Sequence, residues 1–167
     1  MPTLLCTAKY RKAFGLPERL SAAEVDEGAL GPWYADTLNA GSLRFVHYMS
    51  APSLLSVIVR LRERASAEQR FVRALHDLLV DLSVPEAWID RETESLLSFH
   101  YARARNLSDL GYLRDHAWVA RSRFLRDDFS EAEVNLDLSE NPPTAGHRGF
   151  PRNVARERLA ARWRWEE

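Results

Sequence analysis

Apolar positions along this chain follow two patterns, short runs of strand length and stripes of helical period. The densest run is Leu54-Leu55-Ser56-Val57-Ile58-Val59, broken only by Ser56. A run without alternation predicts a strand covered on both faces, and so a central place in a sheet. A charged break follows, and then Ser66-Ala67-Glu68-Gln69, which reads as a capping box. Phe71, Val72, Leu75, Leu78, Leu79 and Leu82 then fall on one helical stripe. The two segments together predict a buried strand roofed by an amphipathic helix.

Weaker patterns fill in the remainder. Thr3-Leu4-Leu5-Cys6-Thr7 reads as a first strand, followed by a helical turn through Phe14 that Gly15 and Pro17 end. Residues 17–32 are acidic and predict a surface loop with a short helix after Ser21. Trp33 to Asn39 and Leu43 to Tyr48 flank Ala40-Gly41-Ser42, the pattern of a hairpin. Pro85 stands in the first turn of a further helix, and Phe99 to Ala102 reads as a short strand. Asn106 caps a long helix carrying Leu107, Leu110, Leu113, Ala117, Trp118, Ala120 and Phe124 at helical spacing. Val134-Asn135-Leu136-Asp137-Leu138 alternates strictly and predicts a half-buried strand. Phe150-Pro151 opens a last helix to about Trp165. The expectation is an α+β fold over residues 1–167, a single domain. Its sheet is mixed or antiparallel, of about four to six strands, with helices packed mainly on one face.

Composition adds bounds. At 167 residues, with 46% apolar and 28% charged positions, the chain can bury a core without disulfides. A single cysteine, Cys6, excludes an internal disulfide and suits a reducing compartment. The apolar runs fall far short of the roughly 20 residues that span a bilayer. The start, Met1-Pro2-Thr3-Leu4, lacks the basic and apolar regions of a signal peptide. A cytoplasmic protein with no membrane partner is expected.

Charge is segregated although the net is −1. Residues 100–126 hold six arginines and two aspartates, 127–143 hold six acids and no base, and 144–165 hold six arginines and one glutamate. Arginine forks suit phosphate, but the acidic segment can equally lie against its basic neighbours and neutralise them. That second arrangement is the expected one.

Candidate chemistry is sparse. The five histidines, His47, His76, His100, His116 and His147, form no H-x-x-x-H pair and there is no Cys-x-x-Cys, so metal-ligand spacing is absent. No phosphate loop, dinucleotide fingerprint or nucleophile elbow occurs, and no cofactor is expected. Gly146-His147-Arg148-Gly149 is a basic loop ahead of a helix. Trp33, Tyr34 and Asp36 stand across the hairpin from Arg44 and His47, where Asp36 orienting His47 would make a general base. Strand parity already sets His47 among apolar neighbours, with Leu43 and Phe45. Cys6 between apolar residues reads as buried and inert. On the last helix Arg152 and Arg156 share a face with Leu159 and Trp163, a pattern that fits nucleic acid or, better, a docking helix with snorkelling arginines.

Several segments resemble a family of uncharacterised bacterial proteins classed only as a domain of unknown function. Leu5-Cys6-Thr7-Ala8-Lys9 resembles its C-T-x-K strand end, and Leu30-Gly31-Pro32-Trp33-Tyr34-Ala35 its L-G-D-W-Y-A. Leu54 to Val59 resembles L-L-P-V-V-V, Leu82-Ser83-Val84-Pro85 resembles L-G-V-P, and Leu138-Ser139-Glu140-Asn141-Pro142 resembles L-A-E-T-P. The stretch Leu110 to Trp118 resembles L-G-S-M-N-D-F-A-F, with Tyr112-Leu113-Arg114-Asp115 where the family has S-M-N-D. The resemblance implies one α+β domain in a bacterial or phage-like setting and carries no activity, cofactor or catalytic residue.

Two functional expectations follow. One is a non-catalytic binding or accessory protein, with a protein partner, a second copy or nucleic acid meeting its Arg-rich C-terminal half through His147, Arg148, Arg152 and Arg156. The other is a small hydrolase or transferase with a pocket around Trp33, Asp36, Arg44 and His47.

Overall fold

The chain builds one five-stranded mixed sheet between two helical layers in the computed structural model, which describes residues 1–17, 20, 26–142 and 149–164. Strand β1 (Thr3–Cys6) runs straight into helix α1 (Ala8–Phe14). Thr7 caps that helix by accepting from the Tyr10 N–H, and Gly15 closes it at φ +62°, a conformation that glycine adopts at little cost. The hairpin forms as expected, from β2 (Trp33–Ala40) and β3 (Leu43–Ser50). Strand β4 (Ser56–Arg60) follows, then a 3-10 turn over Arg64–Ser66 and helix α2 (Ala67–Asp81). Helix α3 (Glu86–Ser95), strand β5 (His100–Arg103) and the long helix α4 (Leu107–Arg126) come next. Helices α5 (Glu131–Ser139) and α6 (Pro151–Trp163) complete the order.

The strands lie in the order β4-β3-β2-β1-β5, with β1 parallel to both of its neighbours and the other pairs antiparallel. Alternation sends Leu4, Trp33, Ala35, Val46, Tyr48, Val57 and Val59 to one face. There they pack with Tyr10 of α1, Phe71, Leu75 and Leu79 of α2, Ile89 of α3, and Ala155, Leu159 and Trp163 of α6. The opposite face carries Tyr34, Leu38, Phe45, Met49 and Ile58, covered by Leu113 and Ala120 of α4 and by Val134 and Leu138 of α5. The mixed sheet with helices mainly on one face is therefore what forms, and α4 with α5 roof the second face as well.

Three local expectations are corrected. The run from Leu54 gives a strand buried on both faces, but at the edge of the sheet and not its centre. It starts only at Ser56, because Leu54 sits at φ +63° in the preceding turn. Helix α5 seals that edge: Asn135 Oδ1 accepts from Ile58 N–H at 2.7 Å, Asn135 Nδ2 donates to Ile58 O at 3.3 Å, and Glu131 accepts from Arg60 N–H at 3.0 Å. Residues 134–138, read from alternation as a strand, are thus helical. Their buried members Val134, Asn135, Leu138 and Ser139 follow helix period, and Ser130 caps the helix by accepting from Glu133 N–H. Ser66 forms no capping box, since the 3-10 turn precedes α2 and its hydroxyl donates back to Glu63 O.

Candidate functional site

Polar groups collect on the sheet face beneath α4. Asp36 and His47 are register partners across β2 and β3, so they share this face. Trp33 has the opposite parity and is fully buried, edge-on to Phe71 with ring centroids 4.9 Å apart. Arg44 shares the parity of Val46 and Tyr48 and is exposed near the hairpin turn. The expected pocket of Trp33, Asp36, Arg44 and His47 therefore does not assemble, because strand alternation divides its members between two faces. Tyr34 is buried on the α4 side, where its hydroxyl donates to Asp109 Oδ2 at 2.7 Å.

Asp36 does not orient His47. Its Oδ1 accepts from the Thr7 hydroxyl at 2.7 Å and from Thr37 N–H at 2.8 Å, and Lys9 Nζ stands 3.6 Å from Oδ2. Lys9 also donates to Thr37 O at 3.3 Å. Thr7 and Lys9, both from the opening Cys-Thr-Ala-Lys segment, thus converge on one carboxylate of β2. The cluster lies at the carboxyl end of β1, the strand from which the sheet extends parallel on both sides. Its effect is to lock the turn between β1 and α1 onto β2.

His47 instead belongs to a buried chain of three side chains. Its Nε2 lies 2.9 Å from Ser56 Oγ, which lies 2.7 Å from His116 Nδ1, and the two rings are near parallel at 6.4 Å. β3, β4 and α4 each supply one member. Burial pushes His116 down to about 4, with Asp115 opposing the shift. Burial also holds His47 well below 6.5, reinforced by His116 and Lys9. Both rings are therefore neutral at neutral pH. One Ser56 proton serves two rings, so one histidine accepts from the hydroxyl and the other donates to it. Of the outer nitrogens, His47 Nδ1 and His116 Nε2, one then carries a hydrogen and the other a bare lone pair. Both are buried and unpartnered among the described residues. Parity could have joined His47 to Ser56 from sequence, and the stripe Leu113, His116, Ala120 could have placed His116 inward; their meeting depends on how α4 crosses the sheet.

The arginines near the C-terminus are largely committed. Arg152 pairs with Glu140 at 2.7 Å, Arg158 donates to Ala29 O at 2.8 Å, and Arg162 pairs with Asp26 at 2.9 Å. On α4 Arg123 bridges Asp127 and Asp137 at 3.0 and 2.9 Å, so acidic and basic segments do neutralise each other. Trp163 is buried, its Nε1 donating to Glu92 at 3.0 Å, which makes α6 a docked helix. Arg156 and Arg164 differ. They flank a groove of about 390 Å³ whose lining also includes Ser83, Val84, Pro85, Trp88, Glu157 and Ala160, and no ion pair engages either among the described residues. His147, Arg148 and Trp165 lie outside the described residues. Cys6 is buried, its thiol pushed up to about 12 by burial first and the Glu68 charge second, which removes nucleophilic character at neutral pH. No group of three or more metal-binding side chains occurs among the described residues, and none of the helices there is long and apolar enough to cross a membrane.

A family profile matches the chain over residues 3–153, and that family is described as a domain of unknown function (DUF6933). No curated protein and no solved structure matches.

Proposed function

We propose that this chain, which belongs to the DUF6933 family, is a non-catalytic binding or accessory module. Its Arg-rich C-terminal half meets an acidic, partly apolar segment of a partner protein. The observation behind this reading is the groove between the start of α3 and α6. Arg156 and Arg164 are eight residues apart, about 12 Å along the helix, and stand over an apolar floor of Val84, Pro85, Trp88 and Ala160. Two guanidinium groups with no ion pair among the described residues outnumber the single Glu157 carboxylate beside this apolar strip, which suits a peptide carrying carboxylates beside a hydrophobic anchor. Nucleic acid fits less well. Arg152, Arg158 and Arg162 are held by internal partners, which takes three of the cations of α6 away from phosphate contacts. The hydrolase or transferase alternative loses its ground, because its four residues divide between two faces. A cytoplasmic, bacterial or phage-like setting accompanies the proposal.

Fluorescence anisotropy tests it with two labelled probes, a short peptide of mixed glutamate and leucine and an oligothymidylate, at about 50 and 200 mM salt. The peptide is expected to bind and to weaken with salt. The double variant Arg156→Glu/Arg164→Glu should lose about tenfold or more in affinity, while Arg152→Ala should change little. Equal peptide binding by the double variant, or tighter binding of the oligonucleotide, overturns the reading. So does a concentration-dependent dimer in size-exclusion chromatography that the charge reversal abolishes, since the groove would then receive a second copy.

A further inference from the structure

The buried chain His47–Ser56–His116 ends at a cleft on the outer side of α4. The cleft has a volume of about 240 Å³, and Tyr112, Asp115, His116, Trp118, Asn141 and Pro142 line it. His116 is 2% exposed. Its Nδ1 is tied to Ser56 on the sheet, so the ring edge turned from the sheet carries Nε2, the nitrogen without a partner. A buried ring nitrogen left unpaired costs about 1–3 kcal/mol unless something satisfies it. The rest of the lining indicates what could. Asp115 is exposed and no ion pair occupies it among the described residues, and Trp118 in the lining is 66% exposed. A neutral imidazole with Nε2 in its acceptor tautomer, a carboxylate and an indole together favour a ligand with N–H donors and positive charge.

We infer that this cleft is a binding site for a small organic cation of the amidinium or aromatic-amine class. Its N–H groups would donate to His116 Nε2 and Asp115 while its flat part lies against Trp118. For Nε2 to accept, His116 carries its proton on Nδ1 and donates to Ser56 Oγ, and Ser56 donates to His47 Nε2. In that arrangement the lone pair faces the cleft, and Ser56 and His47 are positioning residues for His116. The volume is below the range of about 300–1,000 Å³ usual for drug-sized ligands, so the ligand is of one-ring size. This site is separate from the α6 groove and stands or falls independently of it.

Benzamidine is the probe, with benzamide as its uncharged counterpart and benzoate as the anion. Titration is followed by ¹⁵N NMR of the His116 ring and by Trp118 emission. Benzamidine should shift His116 Nε2 saturably, benzamide should bind more weakly, and benzoate should not bind. Asp115→Asn lies on the surface and leaves folding intact; it should weaken benzamidine roughly threefold to tenfold. His116→Phe, checked for folding by circular dichroism, should abolish binding. An absent or non-saturating shift, benzoate or benzamide matching benzamidine, or unchanged affinity in Asp115→Asn overturns the assignment.

Discussion

At the scale of single residues, the histidines separate what sequence carries from what folding adds. His47 and Ser56 were both legible as inward-facing on neighbouring strands, yet the serine within an apolar run gave no hint of a partner. His116 completes the chain only because α4, packed along β2, brings its ring within reach of Ser56 on β4, and no local pattern encodes that crossing. Asp36 shows the converse. Its nearness to His47 was legible from the hairpin, but Thr7 and Lys9 reach it across a parallel pairing that connects distant sequence. Burial of the neutral rings has a consequence for acid stability. Unfolded, His116 titrates near 6.5; folded, it titrates near 4. Between those values the unfolded chain binds a proton that the folded chain refuses, so stability falls as pH falls. The contribution is complete above about pH 6.5, is lost progressively down to about pH 4, and amounts to about 3 kcal/mol. His47 acts in the same direction. Urea titrations from pH 7.5 to 4 should show this slope, and His116→Phe should flatten it by the His116 share. A wild-type stability that is level across the window would contradict the buried neutral pair.

Among elements, α5 is the instructive error and β4 its counterpart. Val134-Asn135-Leu136-Asp137-Leu138 alternates, but Leu136 is 38% exposed while Asn135 is buried, the reverse of what a half-buried strand requires. The stronger signal was local. Ser130 with Glu133 three residues on has the sequence of a capping box, and the serine oxygen accepts from Glu133 N–H at 3.2 Å while its hydroxyl donates to Glu133 Oε1 at 3.2 Å. The box read at Ser66 failed because a 3-10 turn already occupies that position. Asn135 is polar inside a helix because it completes β4, whose outer backbone groups would otherwise invite another strand. Asn135→Ala leaves the Ile58 N–H and carbonyl unpaired in a dry environment, and should cost about 2–3 kcal/mol in urea unfolding. Glu131→Ala, at the wetter end of the same edge, should cost less than about 1 kcal/mol. Faster growth of thioflavin-positive aggregate in Asn135→Ala than in Glu131→Ala is the accompanying sign. Equal small losses in both variants would mean that the edge needs no seal.

For the whole molecule, one carboxylate joins segments that nothing else in sequence connects. Glu92 of α3 is fully buried and accepts from Ala29 N–H and Leu30 N–H at 2.9 Å each, and from Trp163 Nε1 at 3.0 Å. Burial raises its titration above the usual carboxylate range, and these three donors work against that shift. The approach to β2, helix α3 and helix α6 therefore meet at a single side chain, flanked by Arg158 on Ala29 O and Arg162 on Asp26. Gly31 belongs to the same junction: a Cβ there would lie 2.3 Å from Glu27 O, so the turn needs a residue without one. Removing the carboxylate leaves two backbone N–H groups and an indole N–H buried without acceptors. Glu92→Ala should then lose about 3–5 kcal/mol, whereas Glu92→Gln retains one acceptor oxygen and should lose roughly half as much. The order wild type, Gln, Ala is expected both in urea midpoints and in tryptophan emission, which should move to the red as Trp163 meets water. Limited proteolysis should cut within α6 in Glu92→Ala before it cuts elsewhere, because α6 reaches the core through only Ala155, Leu159 and Trp163 besides Pro151. If Glu92→Ala unfolds at the wild-type midpoint with Trp163 emission unchanged, α6 is held by those apolar contacts alone and the carboxylate is no clamp.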